Sequence, residues 1–185
     1  QTRLLKIGMG HLPEGLQTKF FSFMGKGLFT CFSQIPQRER YRTVQVHKDK
    51  LVRTDEFDKW FKQMLMEESP ASTSLIIHDD DDASKKMAID ALAFLEAKGL
   101  KCEVVSASEF DPKDKFKGSV IIVAAAAERG TLLLSISRRL RSAQESGTRV
   151  YLVGALLGRS HELMEELASN LTQPPKGSRK YVFKS

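Results

Sequence analysis

Cysteine is almost missing: Cys31 and Cys102 are the only two in 185 residues. Two thiols cannot build a disulfide framework or a four-cysteine zinc site. The chain therefore reads as a soluble protein of a reducing compartment, with the cytoplasm as its expected location. No apolar run approaches the roughly 18–20 residues that span a bilayer, and no N-terminal stretch has the layout of a signal peptide. The four histidines, His11, His47, His78 and His161, are dispersed and form no H-x-x-x-H or H-E-x-x-H pattern. Gly154-Ala155-Leu156-Leu157-Gly158 has no serine at a strand–helix elbow, which removes the usual hydrolase nucleophile.

What is present is the apolar content of a folded domain, 41% of residues, with 28% charged. The length suits one domain, or one with a small appendage, and is ample for a real core. The chain begins at Gln1 and ends in an apparent strand, and is expected to be part of a larger chain or a homo-oligomer. Charge is uneven. Residues 1–50 sum to +6, equal to the net charge of the whole chain, while residues 51–100 sum to −5. A basic N-terminal region fits a nucleic-acid surface, a solvated face, or a face docked on a partner domain.

Three regions follow from the pattern. Residues 1–53 form a β-rich basic region. In it, Phe20–Met24 and Leu28–Phe32 read as a hairpin around Gly25-Lys26-Gly27, and 41–47 reads as a further β-rich stretch. Residues 54–73 hold a helix capped by Thr54, with Phe57, Trp60, Phe61, Met64 and Leu65 at helical spacing, followed by a Pro/Ser/Thr linker. Residues 74–185 alternate short apolar strands with helices. Strands are expected at 75–77, 102–105, 119–123, 150–157 and 180–183, with helices at 83–98, 131–142 and after Ser160. The class is α/β, a mostly parallel Rossmann-like sheet with helices on both faces, preceded by the N-terminal β-hairpin region.

Sliding the chain by 45 residues lays Ser74-Leu75-Ile76-Ile77 on Ser119-Val120-Ile121-Ile122 without gaps. The two strand–turn–helix units differ in their turns. The first carries Asp79-Asp80-Asp81-Asp82, whose carboxylates fit either caps for the next helix or contacts to ribose hydroxyls or Mg²⁺. Asp82 is expected nearest the helix start, with Asp79 and Asp80 facing the ligand crevice. The second turn, Val123 to Thr131, offers small residues, Arg129, Gly130 and Thr131, which suit either a packed strand end or a phosphate cradle at a helix N-terminus.

Residues 119–141 resemble the phosphoribosyl-pyrophosphate-binding segment of type I phosphoribosyltransferases, with Gly130 and Thr131 at the end of the loop. The family's acidic pair would fall at Val123 and Ala124 and is missing. Residues 75–87 are similar in the opposite way, with acids at Asp79 and Asp80 and a hydroxyl at Ser84, but Lys85 and Met87 where the family has glycine and threonine. The resemblance implies a domain that binds a phosphorylated ribose or nucleotide, with or without turnover. It also implies Asp79, Asp80, Ser84, Arg129, Gly130 and Thr131 as ligand contacts, and Mg²⁺ near Asp79 and Asp80. A second resemblance is to Toprim metal-binding domains, through Asp80-x-Asp82 and Asp111-Pro112. A further alternative is a non-catalytic module that binds nucleic acid or a partner protein.

Overall fold

The computed structural model describes residues 25–33, 42–127, 130–157, 166–167 and 169–171. The chain divides into two compact units, 1–53 and 54–185. In the first, β1 (Phe29–Ser33) pairs antiparallel with β2 (Arg42–Val46), Phe29 opposite Val46 and Ser33 opposite Arg42. The strand read at 28–32 is thus present and is matched with 42–46. The partner expected for it, Phe20–Met24, lies outside the described residues. A short helix, α1 (Lys48–Leu51), follows, and among the described residues of this unit Leu28, Val46, Leu51 and Val52 are buried and apolar.

The second unit opens with α2 (Asp55–Glu68). Thr54 caps it, its side chain accepting from the Phe57 amide at 3.2 Å, and Asp55, Glu56 and Asp58 lie in the first turn where the helix dipole favours negative charge. Phe57, Phe61 and Leu65 are buried, so this helix is part of the α/β core. After Pro70 come β3 (Thr73–His78), α3 (Asp82–Ala97) and β4 (Glu103–Ser106). Then follow β5 (Phe116–Lys117), β6 (Ser119–Ala127), α4 (Thr131–Ala143), β7 (Gln144–Ser146) and β8 (Arg149–Leu156). The short β5 and β7 pair with each other as a separate parallel ribbon. The helix expected after Ser160 is seen at 166–167 and 169–171. The strand expected at 180–183 lies outside the described residues.

The main sheet has the order β4-β3-β6-β8, and every pairing is parallel. From β3 the chain crosses through α3 to one edge; from β6 it crosses through α4 toward the other. Crossovers of the same hand running in opposite directions put their helices on opposite faces. Accordingly α3 packs on β3, β4 and β6, and α2 packs beside it. On the other face Leu133, Ile136 and Leu140 of α4 join Leu75, Ile77, Val120 and Ile122 in one cluster. Gly154 lets α2 approach: a Cβ there would stand 2.7 Å from both the Phe57 ring and the Ala125 carbonyl oxygen.

Strand β6 is buried at all nine positions, as a central strand covered on both faces must be. Each fully buried Ile or Val in it contributes roughly 1.5–3 kcal/mol. The strand is also longer than expected. The alanines read as part of a turn, Ala124–Ala127, are its last four residues. Alanine is a poor strand former by propensity, but pairing with β8 as far as Ala127 opposite Leu156 holds it extended. Small side chains are what a strand pressed between helices requires.

Candidate functional site

Strands β3 and β6 are neighbours whose following helices leave in opposite directions. In an open α/β sheet that reversal opens a crevice outside the carboxyl ends of the two strands. The acidic turn follows β3 and the Gly130–Thr131 turn follows β6, so the two half-motifs lie at the carboxyl ends of neighbouring strands. They stand at different heights. Residue pairing between the strands ends with His78 opposite Val123, and β6 runs four residues further, to Ala127. At about 3.3 Å per residue the step is about 13 Å.

At the lower level the four aspartates have separate tasks. The Asp79 amide donates to the Val123 carbonyl at 3.2 Å, and Asp79 Oδ1 accepts from the Asp80 amide at 2.8 Å. Asp80 is exposed, and its Oδ1 accepts from both the amide (3.0 Å) and the hydroxyl (2.8 Å) of Ser108, just beyond β4. The Ser108 amide, followed by its hydroxyl, holds the Asp80 carboxyl below its ordinary pKa. The carboxylate form is the one these donors stabilise. Asp81 is the N-cap of α3, with Oδ1 accepting from the Ser84 amide at 2.9 Å. The cap is therefore Asp81, with Asp82 one residue inside the helix. Asp81 has the extended backbone that a cap requires (φ −90°, ψ 154°).

Ser84 is fully buried. Its hydroxyl donates to Asp81 Oδ2 at 3.0 Å and accepts from the Ala125 amide at 2.9 Å. That amide lies past the last residue paired with β3, so without Ser84 it would be a buried donor with no acceptor. The side chain ties α3 to the overhanging end of β6. No spacing in the sequence announces this link, because its partners are 41 residues apart.

At the upper level Gly130 is the N-cap of α4, with φ +66° and ψ 1°. It offers no side-chain cap, and the first turn of α4 has no acidic residue. The leading amides of this helix thus present the positive end of its dipole. Thr131 is the first helical residue and is exposed; Gly130 is buried. A Cβ on Gly130 would meet the Leu167 side chain at 2.4 Å. Arg129 lies outside the described residues. Val123 and Ala124, where the family's acidic pair would fall, are buried inside the sheet.

Among the described residues, no group of three or more His, Cys, Asp or Glu side chains is placed to hold a metal ion. Asp79 Oδ1 and Asp80 Oδ1 already accept hydrogen bonds within the fold. Asp80, Asp82 and Asp111 do not come together as a three-carboxylate group of the kind a Toprim-like site needs. The Cys102 thiol donates to the Thr73 carbonyl at 3.2 Å, and burial pushes its pKa up, opposite to what a thiolate nucleophile requires. Among the described residues no helix is long and apolar enough to cross a membrane.

No protein-family model matches the chain, and no curated protein matches it. Among solved structures it is similar to adenine phosphoribosyltransferase from Saccharomyces cerevisiae, determined with an imino-altritol bisphosphate and adenine. That similarity has 13% identity, covers 84% of this chain and 96% of the other, and has a TM-score of 0.49. It is also similar to adenine phosphoribosyltransferase from Rhodothermus marinus, at 8% identity, 76% and 99% coverage and a TM-score of 0.41. The chemistry of the crevice rests on this chain's own residues.

Proposed function

We propose that the crevice between β3 and β6 binds a phosphorylated ribose or nucleotide. The observation that supports this reading is the adjacency of the two strands, which sets a carboxylate turn and an acid-free helix N-terminus at neighbouring strand ends. Asp79 and Asp80 accept hydrogen bonds from ribose hydroxyls at the lower level. At the upper level the amides of Thr131 and the residues after it hold a phosphate, with Gly130 shaping the entry and Arg129 as counter-charge. Asp80 is suited to its task because Ser108 favours its ionised, acceptor-only form. Ser84 supports the site from beneath and does not touch the ligand.

Binding is the whole of the proposal, since each turn keeps only half of the motif associated with turnover. Isothermal titration of the full chain with phosphoribosyl pyrophosphate, ribose 5-phosphate, ATP and nucleoside monophosphates, each with and without Mg²⁺, tests it. Saturable heat with at least one of these, lost in Asp79→Asn/Asp80→Asn while the fold is retained, is the expected result. No heat and no thermal shift with any of them removes the reading.

A further inference from the structure

The segment after β4 makes one tight turn, the Phe110 amide donating to the Ser106 carbonyl at 3.1 Å. Its ends, Ala107 and Phe110, are buried, while Ser108 and Glu109 between them are exposed. The turn is gripped from two sides. Arg139 of α4 donates through Nη1 to the Ala107 carbonyl at 2.6 Å and to the Phe110 carbonyl at 3.1 Å. Asp80, in the turn that leads into α3, accepts from the Ser108 amide at 3.0 Å and from the Ser108 hydroxyl at 2.8 Å. The Ala107 carbonyl and the Ser108 amide are the two ends of one peptide group, so that group has a guanidinium on its oxygen and a carboxylate on its N–H. A planar trans peptide points the two in opposite directions, and fixing one fixes the other. Hydrogen bonds to ionised partners are the stronger kind, and each polarises the peptide in the sense that strengthens the other.

We infer that Arg139 is a positioning residue for Asp80, acting through the Ala107–Ser108 peptide group. The cation comes from α4 and the anion from the turn before α3, and the peptide group joins them as an indirect ion pair. The preceding peptide group is already tied to β3, by the Ala107 amide donating to the His78 carbonyl at 2.8 Å. The Ala107–Ser108 plane is therefore the one that Arg139 and Asp80 decide. Without Arg139 the Ala107 carbonyl, in a residue 1% exposed, loses this donor. The plane is then free to rotate, and the Ser108 amide turns away from Asp80. This linkage stands on its own geometry. Its consequence for a ligand rests on the reading of Asp80 given above, because a carboxylate held by both Ser108 groups presents its oxygens in one orientation.

Amide spectra of the full chain without ligand read the linkage directly. An N–H that donates to a carboxylate resonates downfield, so Asp80→Asn should move the Ser108 amide proton upfield. Arg139→Met should move it in the same direction. Arg139→Lys keeps the charge but loses the planar fork; it should move the proton less, and it serves where Arg139→Met does not fold. Arg138→Gln, at an exposed neighbour on the same helix, should leave it in place. An arginine with a purely structural role would lower stability when replaced while the Ser108 amide stayed where it was, and that outcome overturns the inference. With ribose 5-phosphate, Arg139→Lys should weaken binding roughly fivefold, about the effect of one hydrogen bond, and Arg138→Gln should not. Unchanged affinity in Arg139→Lys overturns the consequence for the ligand. No binding by the unaltered protein overturns the reading of Asp80, and the Ser108 amide, measured without ligand, still decides the role of Arg139.

Discussion

Four adjacent aspartates invite a single explanation, yet the carboxylates of Asp79, Asp80 and Asp81 each have a different neighbour. Asp81 is the cap, so Asp81→Ala should destabilise the chain by ~0.5–2 kcal/mol in chemical denaturation, while Asp82→Ala should change it far less. Asp80 gives a pH signature. Its folded-state pKa lies below the ordinary value of 3.8 because of Ser108. The stability this contributes is therefore present above the unfolded pKa and is lost as pH falls through the folded one. Denaturation of the unaltered protein and Asp80→Asn should differ at neutral pH, and the difference should shrink on acidification below about pH 4. A constant gap across that range would mean Ser108 does not bias the carboxylate. The repulsion among these residues was legible in the sequence. Their partners were not, because Ser108 reaches Asp80 only through β4 and Val123 reaches the Asp79 amide only through β6.

Helix α4 shows how an element can hold its site and its scaffold together. Its arginines are not equivalent. Arg139 turns toward the loop after β4, donating through Nη1 to the carbonyls of Ala107 (2.6 Å) and Phe110 (3.1 Å), with its guanidinium over the Phe110 ring at 5.7 Å. A flat, forked cation suits two carbonyls and an aromatic face; an ammonium does not. Arg139→Lys should therefore destabilise the chain, and Arg139→Met more so, by about 1–3 kcal/mol for carbonyls left without a donor. The end of the helix nearer the crevice depends on Gly130. Its positive φ and the nearby Leu167 side chain both oppose a Cβ, so Gly130→Ala should lower the melting temperature and weaken phosphate binding together. The helical period of α4 was plain from its sequence. That one of its arginines is a clamp and another an exposed charge depends on which elements the sheet order places beside it.

At the scale of the whole molecule, residues 54–185 contain all four described strands of the main parallel sheet and the helices that cover it. Expressed alone, that segment should unfold cooperatively and bind ribose 5-phosphate as the full chain does. The basic N-terminal region carries the nucleic-acid expectation. If that region is a nucleic-acid surface, binding to single- or double-stranded DNA should fall steeply with salt and be absent from the 54–185 segment; no binding at low ionic strength removes the expectation. The sequence by itself determined the α/β class, because apolar runs too short for helices alternate with residues at helical spacing. It also determined the Thr54 cap and the likeness of the two strand–turn–helix units. The 45-residue slide even matches Leu75, Ile76 and Ile77 with Val120, Ile121 and Ile122, the same residues that face each other across β3 and β6. The tertiary structure decided that Ala124–Ala127 are strand, since pairing with β8 outweighs alanine's weak propensity. It decided that Ser84 is a buried tie between α3 and β6, and that the two half-motifs follow neighbouring strands. Strand order is set by how helices cover both faces of a sheet, and no local pattern of residues encodes it.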